Sequence, residues 1–97
     1  MIIAKVIGSA VATLKHDLLK TTKLLLVGPA DVRGNLTGDP FLAVDLVGAG
    51  DGELVMISRG SSARTAIGDT SSPADAAVIG ILDSLQVEES IDLERNK

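Results

Sequence analysis

Gly48-Ala49-Gly50-Asp51-Gly52-Glu53, then Leu54-Val55-Met56-Ile57-Ser58, then Arg59-Gly60-Ser61-Ser62-Ala63-Arg64, is the segment from which the architecture can be worked out. At first sight its glycines suggest a nucleotide-binding loop. In a dinucleotide fold, however, a third glycine follows the second by three positions, and a helix then presents its amino end to the pyrophosphate. Glu53 holds that third position here, and the run Leu54 to Ile57 reads as a strand. The glycines therefore join two strands and aim no helix dipole at a phosphate. Asp51-Gly52 is a hairpin signal, because a type I′ turn needs positive φ at both central residues, which glycine adopts freely and aspartate tolerates. The expectation is a tight reversal that pairs Phe41 to Val47 with Glu53 to Arg59.

Outward from this segment the apolar runs stay short and regularly punctuated, which is an all-β rhythm. Ile2 to Thr13 forms the first expected strand, with Ile3, Ile7 and Val11 on one parity and Ile2, Ala4, Val6, Ala10 and Ala12 on the other. Both faces are partly apolar, so one is expected in a barrel core and the other against a neighbouring subunit. Lys23 to Pro29 is the second strand, and a polar loop from Asp31 to Pro40 leads into the third. After Gly60, Ser61 or Ser62 is placed to cap a short helix over Ala63 to Ile67, closed by Gly68 and expected to plug one barrel end. Ser72-Pro73-Ala74-Asp75 has the pattern of a capping box. The run that follows, Ala76 to Asp83, is β-branched and only about eight residues long, which favours a turn and a last buried strand over a helix. Five strands, one short helix and glycine-rich corners predict a mainly β fold, a small, partly open, OB-like Greek-key barrel. The barrel domain is placed at residues 1–87, with an acidic tail at 88–97 that Ile91 and Leu93 could dock in part.

Composition narrows the function classes. The 97 residues make one domain with a single aromatic side chain, Phe41, so burial falls to many aliphatic residues. A hydrophobic fraction of 45% and a mean hydropathy of +0.35 exceed what so small a core needs, which points to oligomerisation. A net charge of −4, a pI near 4.7 and nine dispersed basic residues disfavour nucleic acid, and one aromatic residue offers no stacking platform for single strands. There is no cysteine for a disulfide framework or a thiolate metal site. Met1-Ile2-Ile3-Ala4 runs straight into Lys5, unlike a signal peptide, and the apolar runs fall well short of a bilayer span, so a cytoplasmic location without membrane contact is expected.

Sites of chemistry are few. His16 is the single histidine, set between Lys15 and Asp17 in a polar turn, and is read as solvent-exposed. The carboxylates are scattered through turns and do not have the spacing of a zinc or calcium site, so no metal and no cofactor is expected. Ser61 and Ser62 do not sit in a Gly-x-Ser-x-Gly elbow and have no base nearby in sequence, so no catalytic residue is assigned. Asn35-Leu36-Thr37 matches a glycosylation acceptor, an accidental match without secretion.

Three segments together resemble the EutN/CcmL family of bacterial microcompartment vertex proteins. Ala43-Val44-Asp45 leading into Gly48 to Glu53, then Gly60-Ser61-Ser62-Ala63-Arg64, then Ser72 to Asp83, follow that family's order and spacing over about 85 residues. The start, Met1 to Gly8, and Lys23 to Val27 are similar to its first two strands. The resemblance implies a cyclic homopentamer that caps the vertices of a polyhedral shell, in a carboxysome or a catabolic metabolosome, beside hexameric or trimeric facet proteins, without catalysis. Ring closure requires two different, complementary surfaces on each subunit.

On this reading Gly48, Gly50, Gly52 and Glu53 are candidate subunit-interface residues, the glycines allowing close backbone approach. Ser61, Ser62 and Ala63 are candidates for the narrow axial opening. Arg64 is expected to reach a carboxylate, Glu53 or Asp45, within or across subunits. The competing reading is an OB-like barrel that binds a small molecule, with a single-strand binder as the other class weighed.

Overall fold

Small and β-branched side chains at alternate positions decide which way each strand faces. The computed structural model describes residues 1–10, 23–68 and 74–84. Its elements are β1 (Ile2–Ala10), β2 (Leu24–Pro29), β3 (Phe41–Asp45), β4 (Leu54–Arg59), α1 (Gly60–Ile67) and β5 (Ala76–Ile81). Their positions agree with the expected elements to within a few residues. Positions 11–13 of the expected first strand, His16, the Ser72-Pro73 turn, and the tail at 88–97 lie outside the described residues.

The five strands close into a barrel in the order β1-β2-β3-β5-β4. Strands β1, β2 and β3 form an antiparallel meander, and β4 returns to the free side of β1, which is a Greek-key order. β5 then closes the gap, antiparallel to β4 and parallel to β3. Two expectations change here. The barrel is closed rather than partly open, and β3 does not pair with β4. The glycine segment is the crossover of the Greek key, so its strands end up on opposite sides of β5. Turn residues report that the chain reverses, but pairing is settled by which partners fill the core.

Ala4, Val6, Leu25, Val27, Ala43, Val55, Ile57, Ala76 and Val78 fill the interior with Ala49, and Ile2, Phe41 and Ile81 pack against them. Alanines at three of these inward strand positions, Ala4, Ala43 and Ala76, let a five-stranded wall close tightly. A register shift between Val6 and Gly8 marks a bulge in β1, so the even parity of the first half does not continue unbroken. At one barrel end the Arg59 guanidinium lies 4.2 Å from the centre of the Phe41 ring.

The helix takes a different place from the one expected. Ala77 pairs with Ser58 and Val44, on the parity opposite to Val78, yet Ala77, Ser58 and Val44 are all buried outside the core cluster. α1 packs on β4 and β5 and buries Ala63, so it lies on the outer barrel wall instead of plugging an end. Gly60, at φ 65, turns the chain back from β4 onto that wall. No side chain caps the helix: Arg59 is the N-cap residue, and Ser61 and Ser62 fall inside the first turn. Gly68 closes it at φ 91, its amide bonded to the carbonyls of Arg64 and Thr65, as the sequence predicted.

The loop from Asp31 to Asn35 is organised by one carboxylate. Asp31 accepts the amides of Arg33 and Asn35 at 2.9 and 3.0 Å. The Asn35 amide above all holds its carboxyl below the usual carboxylate range. Ile57, fully buried on β4 at the barrel centre, is the most informative core position to truncate. Ile57→Ala is expected to cost about 2–5 kcal/mol in chemical denaturation, with the midpoint falling and the slope unchanged.

Candidate assembly site

Asp45 ends β3 with the parity of Ala43, so its carboxylate points into the barrel end, and only 1% of the side chain is exposed. Oδ1 accepts the amides of Val47, Gly48 and Ala49 at 3.1, 3.0 and 3.4 Å. Those amides follow the aspartate directly, and curling them onto one oxygen requires the left-handed backbone of Gly48, at φ 76. Ala49 is carried into the core by that curl and closes the barrel end. Oδ2 is buried with no hydrogen-bond partner, and the Lys23 ammonium lies 3.8 Å from it.

Backbone bonds pin the crossover at both ends. Asp45 donates its amide to the Lys23 carbonyl at 2.8 Å and Leu46 donates to Val78 at 3.2 Å. On the far side Gly52 donates to the Val6 carbonyl at 2.8 Å, and the Val6 amide returns to the Glu53 carbonyl at 3.0 Å. Between these points Glu53 donates its amide to the Gly50 carbonyl at 3.2 Å, and the Glu53 carboxylate accepts the Gly50 amide. Gly52 has φ 83, and no residue other than glycine has positive φ among the described residues. The turn over Asp51-Gly52 therefore follows the type II pattern, with one left-handed residue, and not the expected type I′.

The candidate residues fall into two separated groups. Gly48, Gly50, Gly52 and Glu53 lie on the crossover before β4, whereas Ser61, Ser62, Ala63 and Arg64 lie on the helix after it, so a strand of roughly 17 Å stands between them. A Cβ on Gly48 or Gly52 would meet nothing within 4 Å, so inside one subunit these glycines serve backbone conformation, not close approach. Among the described residues the tightest approach to a glycine is at Gly28, where a Cβ would sit 2.8 Å from Leu36 Cδ2, a contact with no signature in the sequence. Ala63 is fully buried against the sheet and so is not available to line an opening, while Ser61 and Ser62 are exposed. Within the subunit Asp45 gives Oδ1 to its own loop, and its Oδ2 receives no hydrogen bond from Arg64. Among the described residues no His, Cys, Asp or Glu cluster suits a metal ion, and no helix is long and apolar enough to cross a membrane.

A barrel with a filled interior and a sealed end has its remaining chemistry on its outer surface, where relatives can be compared. The family model described as "Ethanolamine utilisation protein EutN/carboxysome" matches residues 1–83. The chain belongs to the EutN/CcmL family. It is 45% identical over 86 residues to the bacterial microcompartment shell vertex protein GrpN of Rhodospirillum rubrum, covering 89% of this chain and 97% of that one. It is 47% identical over 92 residues to the carboxysome shell vertex protein CcmL of Nostoc sp., covering 94% and 91%. The solved structure of the pentameric GrpN shell protein superposes with a TM-score of 0.80 at 43% identity, covering 91% of this chain and all of that one. An ethanolamine utilization protein, EutN, superposes with a TM-score of 0.83 at 44% identity, covering 90% of this chain and 91% of that one. The three motifs quoted from the sequence all lie within the matched EutN/CcmL region.

The Asp45 carboxylate is the side chain on which this end of the EutN/CcmL barrel rests. Asp45→Ala removes the acceptor of three amides and is expected to destabilise the subunit by about 1–3 kcal/mol in denaturant titration. Asp45→Asn keeps an oxygen at Oδ1 and should lose clearly less; equal losses would show that the amides are satisfied some other way.

Proposed function

We propose that this chain is a non-catalytic structural shell protein whose homopentamers cap the vertices of a polyhedral bacterial microcompartment in the cytoplasm. The observation that supports this most is the correspondence, over 91% of this chain, with the pentameric shell protein GrpN. Physical reasoning points the same way. The barrel interior is filled by its own side chains, and large apolar residues remain on the outer wall, among them Leu36 and Leu42, each 49% exposed. The core side chains therefore occupy the place where a closed barrel would hold a ligand inside. Hexameric or trimeric facet proteins are the partners such a cap would meet.

Within the ring we place Gly48, Gly50, Gly52 and Glu53 at subunit contacts, and Ser61 and Ser62 by the axial opening. Arg64 and Glu53 lie at opposite ends of β4, so an ion pair between them would form across subunits. Native mass spectrometry or light scattering of the full chain is expected to give five times the 10.0 kDa subunit mass. A stable monomer across working concentrations would sink the proposal.

Gly50 offers a direct test of the loop's role. Its φ is not positive, and a Cβ there would meet only the flexible Glu53 carboxylate at 3.4 Å, so a larger side chain is compatible with the folded subunit. Gly50→Leu is expected to weaken the pentamer while leaving the circular-dichroism spectrum unchanged, and His16→Ala to leave assembly intact. Equal tolerance at the two positions would remove the loop from the interface.

A further inference from the structure

Asp51-Gly52 is the one place in the chain where an aspartate or asparagine precedes a glycine. Such a pair carries a reaction of its own. The glycine amide nitrogen, unshielded by a Cβ, attacks the aspartate Cγ and closes a five-membered succinimide. The carboxyl hydroxyl and the amide proton leave together as water. Hydrolysis returns that water, and opening at Cγ restores aspartate, whereas opening at the main-chain carbonyl gives isoaspartate. The sequence of steps needs no oxidant and no second protein.

The electrophile is open and the nucleophile is held. Asp51 is exposed at the second position of the crossover turn, and its carboxylate has no hydrogen bond or ion pair to a described residue. Gly52 donates its amide proton to the Val6 carbonyl on β1 at 2.8 Å, and the Val6 amide returns to the Glu53 carbonyl at 3.0 Å. The Glu53 amide, on the Gly50 carbonyl at 3.2 Å, fixes the turn from the other side. To attack, the Gly52 nitrogen has to give up its proton and its bond to Val6, then turn its lone pair toward the Asp51 Cγ. The peptide plane between residues 51 and 52 cannot make that turn while it is bonded to β1.

We infer that Asp51 is a self-modification site latched by the Gly52–Val6 hydrogen bond, so that isoaspartate forms there only when the crossover lifts from β1. Asp45 sets how often it lifts, because the three amides on its Oδ1 hold the other end of the same loop. The modified loop does not seat again. An isoaspartyl main chain runs through Cβ and Cγ and is one methylene longer, which takes Glu53 and Leu54 out of register with Val6 and Lys5. Donor, acceptor and reacting atoms all belong to one subunit, so the inference stands apart from the pentameric reading.

The test incubates the full chain at neutral pH, folded and in denaturing guanidinium chloride, and maps isoaspartate by electron-transfer fragmentation of the tryptic peptide spanning residues 34–59. The unfolded chain is expected to modify at Asp51 at least about tenfold faster than the folded one, the ratio set by an opening free energy of about 1.4 kcal/mol. Asp45→Ala, checked by circular dichroism, should fall between the two. If that variant does not fold, wild type in denaturant below its transition takes its place. Its rate should then rise in step with the loss of hydrogen-exchange protection at the Gly52 amide, the same N–H that must be freed for attack. Equal rates in the folded and unfolded chain, an unfolded chain without isoaspartate at position 51, or a loosened crossover that modifies no faster than the folded wild type would each overturn the inference.

Discussion

Three amides gathered on one oxygen of Asp45 hold the chain where it must leave β3, pass over the barrel end and rejoin the sheet beside β1. A Greek-key crossover is the costly step of such a fold, because it exposes backbone that has no strand to pair with. Here the carboxylate supplies the acceptor, Gly48 supplies the left-handed residue that the curl requires, and Ala49 falls into the core as a result. Lys23, Val78 and Val6 then bond the backbone at the loop's two ends. The buried Oδ2 has no hydrogen-bond partner, and the Lys23 ammonium at 3.8 Å supplies a counter-charge beside it.

Once that end is sealed, the rest of the molecule follows from size. Alanines at inward positions let the wall close around a narrow interior that these side chains occupy. The helix, displaced to the outside by Gly60, covers the seam of β4 and β5 with Ala63 over small residues. Large apolar side chains remain exposed outside the core, Leu36 and Leu42 among them. That division between a full interior and a half-dressed exterior is what a subunit built for a ring needs, and it accounts for an aliphatic content too high for an isolated barrel.

Much of this was legible from residues alone. Strand positions followed from short β-branched runs, and Gly68 was placed correctly as the helix stop because only a left-handed residue ends a helix that way. The family was legible too, through Gly48 to Glu53, Gly60 to Arg64 and Ser72 to Asp83 in order. The pairing of Phe41 to Val47 with Glu53 to Arg59 was not. Asp51-Gly52 is a true turn signal, but a turn reports only a local reversal, and the same dipeptide serves a hairpin or the last corner of a crossover. Asp45 was named with Glu53 as an acceptor for Arg64, and within the subunit its Oδ1 serves its own loop two to four residues ahead.

Local chemistry, then, was determined by the sequence: which segments extend, and where glycine must turn the chain. What the tertiary structure decided is adjacency. Whether β3 meets β4 or β5, whether α1 plugs an end or lies on the wall, and which leucines are left outside depend on contacts between residues far apart in the chain. Those contacts are selected by how the inward side chains fill one closed volume, and no stretch of sequence holds that volume by itself.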